Sequence, residues 1–117
     1  MITIDPRSAT PPFEQLRAQL TAQVNDGSLA AGSRLPTVRR LAEDLGLAPN
    51  TVARAYRELE ALGFIETRGR NGSFVRAQGD AAQQQGQQAA RAYADRVSAL
   101  GISPADALRF VRSALGT

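Results

Sequence analysis

The sequence predicts a mainly α protein with a small β-hairpin, and three observations between Leu35 and Val75 predict it. Two short amphipathic segments, VRRLAEDL and PNTVARAYRELEAL, lie on either side of a glycine. Two segments rich in strand formers, Phe64 to Arg68 and Ser73 to Arg76, follow directly. Between these strands stands Gly69-Arg70-Asn71-Gly72, whose Asn-Gly pair favours a tight hairpin turn. Helix, glycine, helix and hairpin in this order make a winged helix-turn-helix, and two further helices are expected after it. On this reading residues 1–77 are the helix-turn-helix unit and residues 78–117 a two-helix tail.

The first helix is expected from Pro12 to about Asp26. Phe13, Leu16, Leu20 and Val24 recur at spacings of three and four and make one face apolar, opposite Glu14, Arg17, Gln19 and Gln23. Gly27 is placed to end it. Leu29 to Pro36 then reads as a connector, with a turn at Gly32 and a proline that discourages helix before it. Thr37 is a fitting N-cap for a second helix that buries Val38, Leu41, Ala42 and Leu45 and stops at Gly46. Pro49 suits the first position of a third helix, where a missing N–H is no loss. At 100° per residue, Val52, Ala55, Tyr56, Leu59 and Leu62 share its inner side, while Asn50, Arg54 and Arg57 line the outer side.

From Gln78 the composition shifts to GDAAQQQGQQAA, which fits either a linker or the exposed start of a helix. Helix from about Ala81 to Ala99 is the preferred expectation, because Ala and Gln form helix well and Ala89, Tyr93, Val97 and Leu100 recur suitably. Ser103-Pro104-Ala105-Asp106 combines an N-cap, a first-position proline and an early acid, a strong start for a last helix. That helix carries Ala107, Leu108, Phe110, Val111, Ala114 and Leu115, an apolar load too broad for a solitary surface helix. The tail is therefore expected to bury itself against the first helix or against a second subunit.

Composition narrows the chemistry. At 117 residues one core is affordable, with roughly two-thirds of the unfolded surface buried on folding. The chain has no cysteine and no histidine, so disulfides, thiolate metal sites and the commonest general base are all absent. No metal site and no cofactor is expected. The N-terminal MITIDPRSATPP has no apolar core of a signal peptide, and no stretch approaches the ~18 apolar residues of a membrane span, which makes the cytoplasm the default location. The formal charge is +3, with all fourteen basic residues arginine. A coding bias explains the lack of lysine as well as nucleic-acid binding does. Position is more telling: Arg34, Arg39, Arg40, Arg54, Arg57, Arg68, Arg70 and Arg76 all fall in the helix-turn-helix unit.

In such a unit the second helix enters the DNA major groove N-terminus first, which brings free N–H groups to phosphate. Asn50, Thr51 and Arg54 occupy that end. Asn pairs bidentately with adenine and Arg with guanine, so Asn50 and Arg54 are the candidate base readers. Thr51 and Arg39 suit phosphate contacts that set register. Arg70 and Asn71, flanked by Gly69 and Gly72, would stand at the wing tip, within reach of phosphate or a narrow minor groove. Each has a plainer reading: Asn50 bonded to its own backbone, Arg54 and Arg57 paired with Glu58 or Glu60 on a solvated face, and the wing tip a polar turn.

The segments PPFEQLRAQL, RLPTVRRLA and NTVARAYRELEALGFIETR resemble the DNA-binding domain of the GntR family of bacterial transcription regulators, over Pro11 to Val75. The short helical tail resembles the small YtrA-like subfamily. The resemblance implies DNA contacts at Arg39, Pro49, Asn50, Thr51, Arg54 and the wing from Gly69 to Gly72. It also implies homodimerisation through the two C-terminal helices, here with Tyr93, Val97, Leu100, Leu108, Phe110, Val111 and Leu115, and regulation of transporter genes. Three features depart from the family pattern: Ala48 where a capping hydroxyl or amide is commoner, Asn71 where glycine is frequent, and the run Gln83 to Gln88.

The expectation is a homodimeric, sequence-specific regulator, a repressor on an inverted repeat of double-stranded DNA. A winged-helix module for protein contact is the alternative. An enzyme is poorly supported, since the eleven carboxylates are scattered and no nucleophile has a base partner. Whether a small effector binds is not legible.

Overall fold

The computed structural model describes residues 2–117, apart from the side chains of residues 81 and 82; Met1, the first residue of the 1–77 unit, lies outside them. The helices are α1 (Pro12–Asp26), α2 (Val38–Leu45), α3 (Pro49–Ala61), α4 (Ala81–Ala99) and α5 (Pro104–Leu115), with strands β1 (Ile65–Thr67) and β2 (Ser73–Val75) between α3 and α4. The expected order of elements is the observed one, and most ends fall where the capping residues placed them. The Thr37 hydroxyl accepts the backbone N–H of Arg40, and the Ser103 hydroxyl that of Asp106.

The core forms where α1, α2 and α3 meet the hairpin. Leu16, Leu20 and Val24 of α1 pack with Leu41 and Ala42 of α2, with Val52, Ala55, Tyr56 and Leu59 of α3, and with Leu35, Ile65 and Val75. These are the three- and four-residue repeats of the sequence, closed on one another. The Tyr56 hydroxyl donates to the Pro36 carbonyl at 2.7 Å, so α3 is tied to the approach of α2. Burial pushes the Tyr56 phenol up to about 12. Gln15 and Gln19 hold the N-terminal segment by bonding the backbone of Asp5 and Thr3, which lets Ile2 and Ile4 pack on the core.

Three expectations change. Leu62 is 63% exposed and does not join the inner side of α3; it is the C-cap, still helical with its N–H on the Glu58 carbonyl, but it lies past the last turn that the core encloses. The Asn-Gly pair makes no two-residue hairpin turn. Such a turn of type I′ needs positive φ at both central residues, and no residue other than glycine has positive φ among the described residues. Instead Gly69–Asn71 forms a 3₁₀ turn, and Arg68 N–H donates to the Gly72 carbonyl at 2.8 Å. The connector before α2 is also more ordered than expected. Leu35 N–H donates to Ser73 and Val75 N–H to Ser33, an antiparallel bridge that gives the wing a third edge.

The tail is a helical hairpin. α5 packs on α4, the Tyr93 hydroxyl donates to the Ala107 carbonyl at 2.8 Å, and Ala107 is buried. Leu100, Leu108, Phe110 and Leu115 are exposed. Of the two expected burial partners, the first helix does not cover them.

Candidate nucleic-acid interface

The leading end of α3 lacks a side-chain cap, although the Thr51 N–H donates to the Ala48 carbonyl at 3.0 Å. Its N-cap is Ala48, which offers no side-chain bond, and its first turn holds no acid. Pro49 has no N–H to satisfy, and Pro49 and Asn50 are both exposed, with Thr51 half-buried. The helix dipole therefore ends in a positive, uncapped turn, a site that favours an anion such as phosphate. Asn50 makes no side-chain hydrogen bond among the described residues, so the plain reading in which it bonds its own backbone finds no support.

Arg54, one turn further on, is less free than sequence suggests. Its Nε lies 3.4 Å from Glu58 Oε2, and its guanidinium stacks over the Phe13 ring at 3.9 Å from the centroid. The other oxygen of Glu58 pairs with Arg17 at 3.2 Å, and Arg17 also sits over Phe13. One carboxylate and one ring thus hold two guanidiniums between α1 and α3. Exposed pairs of this kind are worth ~1 kcal/mol or less, so the Glu58 contact orients Arg54 without locking it. Phe13 and Glu58 were not legible as part of the site, because their contact spans two helices far apart in sequence.

Arg39, Arg57 and Arg70 are exposed and have no ion pair among the described residues. For Arg57 the expected alternative partners are taken: Glu58 holds Arg17 and Arg54, and Glu60 accepts Thr67 N–H at 2.8 Å, clamping the wing to α3. At the wing, Gly69, Arg70 and Asn71 are exposed and Gly72 is half-buried. Arg34 lies against Gly72: a Cβ there would stand 3.1 Å from its Nε, at a φ of +98°, so only glycine fits without displacing that guanidinium. Arg68 is spent within the wing, paired with Glu66 at 2.7 Å and stacked on Phe74 at 4.2 Å.

On the tail, Tyr93, Val97 and Val111 are half-buried between α4 and α5, and Leu108 borders the same apolar cleft. Among the described residues no group of acidic side chains is arranged to hold a metal ion, and no helix is long and apolar enough to cross a membrane.

A three-helix core, a hairpin wing and an open helix N-terminus beside unpaired arginines define a DNA-binding regulator of transcription. The chain belongs to the gntR family of bacterial regulatory proteins, whose model matches residues 12–75, and this family is one of regulators and not of enzymes. It is 46% identical over 110 residues to the HTH-type transcriptional regulator Rv1152 of Mycobacterium tuberculosis, covering 94% of this chain and 90% of that one. It is 45% identical over 75 residues to the HTH-type transcriptional repressor YtrA of Bacillus subtilis, covering 64% of this chain and 58% of that protein. Among solved structures, YtrA from Sulfolobus acidocaldarius, a GntR-family transcription factor, superposes with a TM-score of 0.62 at 28% identity, over 98% of this chain and 97% of that one. The resemblance to YtrA-named proteins seen in the sequence is thus found in both comparisons.

Proposed function

We propose that the protein is a homodimeric, sequence-specific repressor acting in the cytoplasm on an inverted-repeat operator. Residues 1–77 bind DNA and residues 78–117 dimerise. The observation that carries this reading is the leading end of α3, uncapped, free of acids and followed by exposed Asn50 and Arg54. Asn50 and Arg54 read base edges, adenine and guanine respectively. Thr51, Arg39, Arg57 and the Asn50 N–H after Pro49 bind phosphate, and Arg70 at the Gly69–Gly72 wing tip reaches phosphate or the minor groove.

Homodimerisation is supported by the large apolar side chains that the protomer leaves exposed on α4 and α5. Leu100, Leu108, Phe110 and Leu115 would meet their counterparts across a two-fold axis beside Tyr93, Val97 and Val111. Repression is supported by the name of the B. subtilis relative, and transporter genes as targets by the YtrA-like resemblance alone.

Fluorescence anisotropy tests the reading. The purified protein should bind the duplex upstream of its own gene more tightly than a scrambled duplex, and the affinity should fall steeply as salt rises. Absence of salt-sensitive binding to either duplex would overturn it in favour of protein contact.

A further inference from the structure

The glutamine-rich run has no place in the DNA-reading face, yet three of its side chains act together. Gln83 Oε1 accepts the N–H of Asp80, whose carboxylate in turn accepts Gln83 N–H. Gln84 Nε2 donates to the Gly79 carbonyl at 2.8 Å. Gln87 takes both backbone groups of Gln78: its Oε1 accepts the N–H at 3.1 Å and its Nε2 donates to the carbonyl at 2.6 Å. Among uncharged side chains of this length only an amide both donates and accepts in this way. The segment between wing and tail is therefore stitched to the first turns of α4.

Gln78 is bonded in the opposite direction as well. Its Nε2 donates to the carbonyls of Gly63, at the α3–β1 turn, and Arg76, after β2, both at 3.0 Å. One residue thus joins α3, the wing and α4. A second attachment lies one helical turn along the same face of α4. The Arg91 stem rests on Gly32, so close that a Cβ there would stand 2.7 Å from Arg91 Cγ. Gly32 N–H donates to Val75, which fixes that loop to the wing. Arg91 is oriented by Asp95 at 3.0 Å.

We infer that Gln78, Gln87 and Arg91 are positioning residues: a rigid joint that sets the angle between the DNA-reading face and the tail, and thereby the half-site spacing the protein accepts. The spacing clause rests on the homodimer reading. Two attachments one turn apart resist rotation as a single one cannot. A rotation of about 10° would move a group about 20 Å away by roughly 3.4 Å, the rise of one base pair, and a two-fold dimer applies it on both sides.

The absence of cysteine allows a direct test. Glu43→Cys on α2 and Ala92→Cys on α4, both exposed positions, would carry spin labels in a chain diluted with unlabelled protein, so that pulsed EPR reads the distance within one protomer. The parent should give one narrow distance. Gln87→Leu and Gln78→Ala should each broaden it about twofold, while Gln85→Leu, at an exposed residue outside the joint, should not. Equal widths in all four proteins would overturn the joint. On duplexes selected by the protein from a random pool, a one-base-pair change in half-site spacing should weaken the parent by about tenfold and Gln87→Leu by less than about threefold, with unchanged affinity for a single half-site. Unchanged spacing discrimination in Gln87→Leu would overturn the spacing clause. A parent that is monomeric by sedimentation and indifferent to spacing would overturn that clause together with the homodimer reading, and the intrachain distances would still decide the joint.

Discussion

The helix-turn-helix unit and the tail are written in the same helical code, yet they dispose of their apolar side chains in opposite ways. In the unit, Leu16, Val52, Ala55 and Leu59 are wholly inaccessible; among the described residues of the tail only Ala107 is buried, and Leu115 is 72% exposed. The unit has three helices and a hairpin to enclose a volume, whereas two helices side by side can cover only one face of each other. An apolar pattern therefore states that a surface is to be covered, and the number of elements within reach decides whether the same protomer covers it.

The largest effect should come from the enclosed side. Leu59→Ala removes a side chain with no exposed surface and should cost about 2–5 kcal/mol, read as a lower midpoint in urea. Leu115→Ala should leave the midpoint of the isolated protomer nearly unchanged. The same core should respond to alkali. The Tyr56 phenol is raised to about 12 in the folded state against an ordinary 10.0, so the unfolded chain loses this proton first. Stability from Tyr56 is complete below pH 10 and falls as the pH rises from there to about 12; Tyr56→Phe should flatten that fall.

The open side of the comparison is sharpened by Phe110→Asp. It should leave the circular dichroism of the protomer intact and abolish the dimer in sedimentation, with a loss of about 2–4 kcal/mol in association. Unfolding instead of dissociation would mean that Phe110 is buried within one chain. A further step down, Arg54→Ala should weaken binding to the selected duplex by roughly 1–3 kcal/mol and relax preference at one base position. Unaltered discrimination would remove Arg54 from the readers. The smallest effect is expected at Ala48→Ser, which restores a side-chain cap and should raise thermal stability by ~1 kcal/mol, checked by the shift in the unfolding midpoint.

Much of the fold was legible because its signals are local. Thr37, Pro49 and Ser103 announce helix starts through groups within three residues, and the α1 face and all of the α3 face but Leu62 follow from periodicity alone. The turn at Gly69–Asn71 differs from the expected one because pairing Thr67 with Ser73 leaves residues 68–72 to close the hairpin, more than the two of a type I′ turn. The third edge of the wing escaped because it pairs Ser33 with Val75 and Leu35 with Ser73, far apart in the chain. In the candidate site, the exposure of Asn50, Arg54 and Arg70 was legible from the order of elements. The Phe13–Glu58 cradle under Arg54 was not, since nothing in α1 marks which residue of α3 it will touch.

By itself the sequence determined the elements, their order, most of the apolar faces of α1, α2 and α3, and the family, because propensity, capping and periodicity act within a few residues. Tertiary structure decided which arginines stay unpaired, which glycines lie under a guanidinium, and that the glutamine run is a stitched joint and not a loose linker. Each of those outcomes depends on contacts between residues distant in the chain, and such contacts exist only once the hydrophobic core has brought the elements together.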